Sequence, residues 1–381
     1  MTDLEHILPL WHELELAGSD YVLATVVETE GSSYRRPGAR MLLAHDGRRA
    51  GTVSGGCLEA EVARRAWWLT GSGPVMERYS TSDDDGDMPY GSGCGGVVYL
   101  LLERKLTAGP HLRTLEESFK QRLPIVIATV IEGAKTGTRA YASLLNASPE
   151  STGGVNSDET VELQRLAEIA LDGGSSYEQT TTIDGEPARV WVDYRTARPG
   201  LWIFGAGDDA KPLLALAREL GWFVAVLDGR SHLATRDRFK SADEVRVLPV
   251  FDLPANASQQ LTLRPTDAAV VMTHSFAQDS RILASLLSHD FPLAYLGVLG
   301  PQRRTRELLG EVARLLNLPN SDDRVERWLA QLHAPTGLDL GADTPASIAL
   351  SILAEIQKAL TAATGQPLRQ VRAAKDIVSR I

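Results

Sequence analysis

Residues 201–228 read LWIFGAGDDAKPLLALARELGWFVAVLD, a strand, a glycine-rich turn, a helix and a second strand in succession. Gly205, Gly207 and Ala210 have the spacing G-x-G-x-x-A where the first strand passes into the helix. In this context the motif is typical of a Rossmann-like βαβ unit. Asp228 ends the second strand, near the place where an acid can hold a ribose hydroxyl of a dinucleotide.

The same stretch argues against a bound dinucleotide. Asp208 and Asp209 fall where a pyrophosphate would dock, and as helix caps their carboxylates would occupy the free amides and repel phosphate. NAD(P) is therefore not expected as a ligand. Gly205 and Gly207 have a second interpretation, in which they serve only the tight turn and close packing of the helix.

Strands and helices continue to alternate after this unit. The apolar stretches AAVVMTH and LAYLGVLG follow, with a helix between them, and this alternation predicts a parallel sheet with right-handed crossovers. Arg303, Arg304 and Arg306 come just after the last of these strands, and His274 follows the one before it. Open α/β sheets bind ligands at this edge, and arginine forks suit phosphate. Exposed arginines on a helix are also routine, so a purely solvated role stays open.

The pattern before residue 198 is different and predicts an α+β domain. With 381 residues the chain exceeds what one hydrophobic core usually supports. We therefore expect an α/β protein of two domains. Residues 1–197 would form the N-terminal α+β domain with a middle segment, and residues 198–381 would form a Rossmann-like parallel-sheet domain with terminal helices.

A cysteine behind two glycines marks the first of these domains. Residues 51–62 read GTVSGGCLEAEV, in which GTVS alternates like a short strand and the residues after Cys57 have helical spacing. Cys57 would then lie near a helix N-terminus, where the amides and the macrodipole lower the pKa of a thiol. Gly55 and Gly56 would let the backbone approach whatever the sulfur faces. The alternative is that Cys57 is simply packed, as free cysteines often are.

Composition excludes several classes of protein. A net charge of −10 argues against nucleic acid as a partner, because phosphate neutralisation needs clustered basic residues. No apolar run approaches the roughly 18 residues of a membrane helix. The first residues lack the pattern of a secretory signal, so we expect a cytoplasmic protein whose two cysteines are reduced.

Several ordered motifs together resemble the XdhC/CoxI family, the accessory factors of xanthine dehydrogenase and related molybdenum hydroxylases. The similarity covers most of the chain and is weakest over residues 105–195. It rests on GSSYRRPGARMLL, GTVSGGCLEAEV, GSGCGGVVYLLLE, LWIFGAGDDAKPL, AYLGVLGPQRRTREL and PTGLDLGADTPASIALSILAEI.

This resemblance implies a protein that binds molybdenum cofactor and protects it while a cysteine desulfurase system supplies the terminal sulfido ligand. It further implies transfer of the cofactor to an apo molybdenum hydroxylase of the xanthine dehydrogenase type, often by a homodimer. We therefore expect a maturation factor without a turnover reaction of its own, although members are sometimes labelled as dehydrogenases. An NAD(P)-dependent oxidoreductase and a nucleotide-sensing regulator are the alternatives.

An anionic dithiolene cofactor needs anion-binding amides, arginines for its phosphate and a soft sulfur near molybdenum. Cys57 and Cys94 are the two thiols of the chain and both are flanked by glycine, so Cys57 is the candidate ligand to molybdenum. The full set of candidate cofactor-binding residues is Gly55, Gly56, Cys57, Cys94, Gly95, Gly205, Gly207, Asp228, Arg303 and Arg304.

Overall fold

A computed structural model describes residues 2–31, 33–56, 58–80, 96–133, 135–144, 158–250, 261–289, 291–319 and 323–371. The chain divides into two units, Met1–Arg198 and Pro199–Ile381, called here the N-terminal and C-terminal units. Three predicted site residues, Cys57, Cys94 and Gly95, lie outside the described residues.

The N-terminal unit contains two antiparallel sheets, ordered β3-β2-β1-β5-β4 and β7-β6-β9-β8. The strands of the first sheet are β1 (Tyr21–Glu30), β2 (Arg40–Ala44), β3 (Arg49–Gly51), β4 (Val75–Ser80) and β5 (Val97–Arg104). Those of the second are β6 (Ile125–Glu132), β7 (Arg139–Ser143), β8 (Tyr177–Ile183) and β9 (Glu186–Arg195). The helices of this unit are α1 (Thr2–Leu16), α2 (Glu59–Leu69), α3 (Lys105–Gln121) and α4 (Asp158–Gly173), with a 3-10 turn at Thr70–Ser72.

Alternation along β1 explains the layers of this unit. Tyr21 and Leu23 pack with α1 and α3, whereas Val22 and Ala24 pack on the opposite face with α2. A strand buried on both faces reads as a continuous apolar run, as YVLATVV does. The second sheet packs Ile125 and Ile127 with α1 and α3 on one face, and its other face packs on α4, where Leu163 is fully buried. The layers are therefore helix, sheet, helices, sheet and helix.

The predicted strand at GTVS is wrong. β3 ends at Gly51, and the backbone amides of Val53 and Ser54 donate to the carboxylate of Glu59, at 3.2 Å and 2.8 Å. Because the side chain of the first α2 residue takes these donors, they do not pair with a neighbouring strand.

The C-terminal unit has one parallel sheet ordered β12-β11-β10-β13-β14. Its strands are β10 (Gly200–Phe204), β11 (Phe223–Asp228), β12 (Glu244–Val247), β13 (Ala268–Val271) and β14 (Tyr295–Val298). Its helices are α5 (Ala210–Glu219), α6 (Phe276–Leu287), α7 (Gln302–Leu315), α8 (Arg324–Gln331) and α9 (Pro345–Thr361). The strand order is that of a Rossmann fold, so the predicted fold class, an α+β unit followed by a Rossmann-like unit, is confirmed.

Helices cover both faces of this sheet. Leu213 of α5 and Ile352 of α9 pack on one face, and Leu283, Leu308 and Trp328 of α6, α7 and α8 pack on the other. With both faces covered, the carboxyl edge is where a ligand can reach the sheet, and the favoured place is the point where the strand order reverses, between β10 and β13. No helix within the described ranges is long and apolar enough to span a bilayer.

Candidate functional site

Two turns meet at the reversal point of the parallel sheet. β10 and β13 pair in register from Leu201 with Ala268 to Phe204 with Val271. The turn at residues 205–209 follows β10, and the turn at residues 273–275 follows β13. The side chains of these turns, and those after β11 and β14, form the candidate site of the C-terminal unit.

Gly205 is required by the neighbouring strand. Its φ of +137° is disfavoured for other residues, and a Cβ there would lie 2.5 Å from the carbonyl oxygen of Met272. Its amide donates to Leu227 O at 2.7 Å, which extends the pairing of β10 with β11. Packing thus accounts for Gly205, and a role for it in cofactor binding stays a prediction.

The carboxylates after Gly207 do not cap α5, so that prediction is wrong. Asp209 is the N-cap, but its backbone is helical and its side chain accepts no amide hydrogen bond. A capping side chain normally needs extended backbone at this position. The Asp209 carboxylate instead lies over Gly207, where a Cβ would be 2.3 Å from Oδ1. Asp208 pairs with Lys211 and Arg238 at 2.8 Å and 2.9 Å.

The other turn contributes a strained histidine. His274 has φ of +60°, and its Nε2 lies 2.8 Å from Oδ2 of Asp209. A left-handed backbone at a residue other than glycine costs about 1–3 kcal/mol and is found disproportionately at functional sites. The His274 and Asp209 pair therefore joins the two turns directly over the reversal point.

Asp228 is buried and fully engaged by the protein. Its carboxylate accepts the Ala206 amide at 2.8 Å and a two-pronged contact from Arg230, Nε to Oδ1 at 2.9 Å and Nη2 to Oδ2 at 2.8 Å. Burial would raise the pKa of this carboxyl, but the bonds from Arg230 and Ala206 outweigh it, so the pKa lies below its ordinary value. A ribose hydroxyl would have to displace these donors.

Arg304 is held by a second buried carboxylate. Nη2 of Arg304 donates to Asp279 at 2.6 Å, and the same carboxylate accepts the hydroxyl of Thr273 at 2.6 Å. Arg230 donates to the carbonyl oxygen of Thr273 at 3.0 Å. Thr273 thus connects the two arginines. Its carbonyl oxygen accepts directly from Arg230, and its hydroxyl donates to the carboxylate that binds Arg304.

Arg230 and Arg304, called here the arginine pair, keep part of their surface exposed. Their side chains are 35% and 25% exposed, whereas Asp228 and Asp279 are buried. Within the described residues, Nη1 of Arg230 and Nε of Arg304 make no hydrogen bond. Guanidinium groups oriented by buried carboxylates, with donors left over, are suited to binding a phosphate.

The predicted cluster after β14 is divided by the structure. Arg304 turns to Asp279, whereas the side chain of Arg303 is 91% exposed and lies 3.7 Å from Glu307 on its own helix. Arg303 thus matches the solvated alternative in this structure, and its role in cofactor binding stays a prediction. Arg306 is also exposed.

The glycine stretch of the N-terminal unit forms a turn organised by Ser54. Its hydroxyl donates to Glu59 at 2.6 Å and accepts the amides of Gly56 and Leu58, each at 3.1 Å. Gly56 has φ of +111°, and Gly55 lies beside the ring of Tyr34. The roles predicted for Gly55, Gly56 and the cysteines stay predictions. Across the described ranges, no group of three or more His, Cys, Asp or Glu is placed to hold a metal ion.

Arg230, Thr273 and Asp279 are the site residues that sequence reasoning missed. Arg230 lies two residues after the strand-ending Asp228, and Asp279 lies in the first turn of α6, which begins at the carboxyl edge. An arginine and an acid so close to the carboxyl ends of strands are the sequence signal that could have predicted these two site residues.

Comparisons with known proteins agree with this architecture. The model described as the XdhC and CoxI family matches residues 14–80, and the XdhC Rossmann domain matches residues 201–356. A Bacillus subtilis protein, named as a probable subunit of xanthine dehydrogenase, is 30% identical over 338 residues, covering 88% of this chain and 92% of that protein. The "Molybdenum cofactor insertion chaperone PaoD" of Escherichia coli is 29% identical over 357 residues, covering 93% and 88%.

A solved structure is similar over both units. The crystal structure of a xanthine dehydrogenase from Bacillus halodurans matches with a TM-score of 0.70 and 30% identity, covering 95% of this chain and 96% of that chain.

Proposed function

This chain belongs to the XdhC and CoxI family, and we propose that it binds molybdenum cofactor and delivers it to an apo molybdenum hydroxylase of the xanthine dehydrogenase type. Similarity to the PaoD insertion chaperone over 93% of the chain supports this proposal. In the proposal the chain is a cytoplasmic homodimer, and it shelters the cofactor while a cysteine desulfurase system provides the sulfur for its terminal ligand.

The arginine pair is the observation that carries the proposal. The cofactor would bring a phosphate, a dithiolene and the molybdenum itself, which is the reactive centre of the client enzyme. Arg230 and Arg304 fit the phosphate, because each is oriented in advance by a buried carboxylate and keeps an unused donor. The carboxylate of Asp209 would face the same ligand and repel its phosphate. The phosphate is therefore expected to lie beside Arg230 and Arg304, away from Asp209.

Candidate soft ligands for molybdenum are proposed independently in the N-terminal unit. Glycines 55 and 56 leave the turn before α2 without bulky side chains, and a Cβ at Gly56 would meet no atom within 4 Å. Cys57 would supply a soft sulfur ligand beside this open backbone. Cys94 is the second candidate thiol, and Gly95 beside it is a candidate for binding the cofactor through its backbone.

The alternative of an NAD(P)-dependent oxidoreductase has less support from the site. A dinucleotide needs the acid after the second strand for its ribose, and Asp228 is already bonded by Arg230 and Ala206. It also needs room for a pyrophosphate over Gly207, where the Asp209 carboxylate lies. A regulator that only senses a nucleotide meets the same two obstacles.

Native mass spectrometry of protein purified from a cofactor-producing host tests the proposal. We expect the mass of a molybdopterin species on the wild-type chain and at least tenfold weaker binding after Arg230→Met or Arg304→Met. Loss of one charge-assisted contact, worth about 1.5–3 kcal/mol, corresponds to that factor. Arg314→Met is the matched control, because Arg314 is 75% exposed and pairs only with Glu311 of its own helix among the described residues.

The opposite result would be bound nicotinamide together with steady-state hydride transfer, which would establish the oxidoreductase. The sulfur ligand is tested separately by activation of an apo hydroxylase. Cys57→Ala should reduce activation while the chain stays folded, and unchanged activation would return Cys57 to a packing role.

A further inference from the structure

A small cavity in the N-terminal unit lies among α1, α3, β6, β9 and the segment that enters β2. Its polar lining comes from Asp3, Arg40, Ser118 and Arg195, and its volume is about 20 Å³. A cavity of at least about 10–15 Å³ can hold one water-sized particle. This space therefore admits a water molecule or a single small ion.

The cation charge around the cavity exceeds the anion charge. Asp193 is buried, and its Oδ2 accepts from Nε of Arg195 at 2.7 Å while Nη2 of Arg40 lies 3.5 Å away. Two guanidiniums thus share one carboxylate. The neighbouring ion pairs are one to one, Arg139 with Glu103 and Arg35 with Asp3. Among the described residues in this cluster, one positive charge is left without a counter-charge.

Arg40 bears this excess. It is 4% exposed, its Nη1 donates to the carbonyl oxygen of Gly38 at 2.8 Å, and its buried Nε has no partner within the described residues. Burial, together with the charge of Arg195, lowers the pKa of Arg40 to about 10, so the side chain is still a cation at neutral pH. A buried guanidinium that shares its carboxylate with a second arginine and keeps an unused donor is costly unless an anion or water satisfies it.

The backbone is shaped to allow this arrangement. Gly38 has φ of +89°, and a Cβ there would fall 0.9 Å from Nη2 of Arg195. Arg195 also donates to the carbonyl oxygen of Pro37 at 3.3 Å. The absence of a side chain at Gly38 therefore leaves space for the guanidinium of Arg195 beside Arg40.

We propose that this cavity is a binding site for one monovalent anion of halide size, with chloride as its ligand. The anion supplies the missing negative charge and accepts from the unused donor of Arg40. The carboxylate of Asp3 on the wall is paired with Arg35 and accepts the backbone amide of Arg40 at 3.2 Å, which offsets part of its repulsion of an anion. This site lies within the N-terminal unit and does not depend on the proposed cofactor function.

Thermal unfolding of the full chain in sodium chloride and in sodium gluconate of equal ionic strength tests the site. Screening of surface charges is equal in the two salts, so a difference reports specific binding. We expect the melting temperature to rise saturably with chloride, by roughly 3 °C once chloride exceeds its dissociation constant tenfold. Arg40→Met should abolish this rise. Arg64→Met should keep it, since Arg64 is 73% exposed on α2.

Bromide diffraction gives a second measurement on the unmodified protein. A crystal soaked in bromide should show an anomalous peak between Arg40 and Arg195. Identical melting curves in chloride and gluconate, or a bromide-soaked crystal without a peak in the cavity, would overturn the proposal. If Arg40→Met fails to fold, the wild-type titration and the anomalous map still decide it.

Discussion

Asp279 and Arg304 form an ion pair of 2.6 Å that joins the first turns of α6 and α7 at the carboxyl edge of the parallel sheet. The carboxylate is 1% exposed and also holds the hydroxyl and amide of Thr273. The position of Arg304 is thus set by a residue on another helix and by the turn after β13, so the arginine is ordered before any ligand arrives.

Asp279→Asn should lower both the free energy of unfolding and the affinity for the proposed cofactor. The amide keeps the volume and one acceptor oxygen but removes the charge that faces Arg304. We expect the free energy of unfolding in urea to fall by roughly 1–3 kcal/mol, toward the lower end because Arg304 is partly exposed. Asp323→Asn is the control, since Asp323 is 78% exposed and should change stability by less than about 0.5 kcal/mol. Equal losses in the two variants would show that the charge of Asp279 contributes no more to stability than that of an exposed acid.

NAD and NADP should leave the melting temperature unchanged at millimolar concentration. Asp228 has no free face for a ribose, because Arg230 and the Ala206 amide bond both of its oxygens. A ligand at 100 times its dissociation constant would stabilise the folded chain by about 2.7 kcal/mol. A rise of several degrees with either dinucleotide in differential scanning fluorimetry would contradict this prediction and favour the oxidoreductase.

The fold of the C-terminal unit could be predicted because its signals are local. β10, the glycine turn, α5 and β11 follow each other within 29 residues, and the apolar runs are bounded by turn residues. The GTVS stretch shows the limit of such patterns. It alternates like a strand, but its amides donate to the Glu59 side chain. The alternation of apolar residues cannot predict that contact.

The site was less predictable because its contacts join distant segments. Arg230 meets the carbonyl of Thr273 across 43 positions, and Arg304 meets Asp279 across 25. Arg303 and Arg304 are neighbours in sequence, but they face different surroundings on α7. The sequence could place both at the sheet edge. Which of the two turns toward the site depends on the rotation of α7 and on Asp279 of α6.

Gly205→Ala and Gly310→Ala should have opposite effects on stability. At Gly205 the added Cβ meets the Met272 carbonyl at 2.5 Å in a backbone conformation that alanine resists, so we expect a loss of roughly 1–3 kcal/mol or more. At Gly310, within α7, a Cβ meets no atom within 4 Å, and alanine should stabilise the helix by about 0.5–1 kcal/mol. Urea unfolding of both variants measures the two signs. A neutral Gly205→Ala would mean that the turn after β10 relaxes freely.

Glu59→Gln should remove a pH-dependent part of the stability of the turn before α2. Burial would raise the pKa of the Glu59 carboxyl, but the hydroxyl of Ser54 and the amides of Ser54 and Val53 outweigh burial, so the pKa lies below its ordinary value. A carboxyl with a depressed folded pKa stabilises the protein above the unfolded value of about 4.3, and this contribution is lost as the pH falls through the folded pKa.

The wild-type chain should therefore exceed Glu59→Gln in unfolding free energy by roughly 1–3 kcal/mol at pH 7, because glutamine can accept but carries no charge for these donors. The difference should shrink as the pH falls below about 4.3, where the unfolded glutamate binds its proton. Glu13→Gln serves as the control, since Glu13 is 64% exposed and its loss should cost less than about 1 kcal/mol. Urea unfolding at a series of pH values measures all three chains. A Glu59→Gln deficit that is constant from pH 7 to pH 3 would assign the effect to side-chain packing instead of the charge.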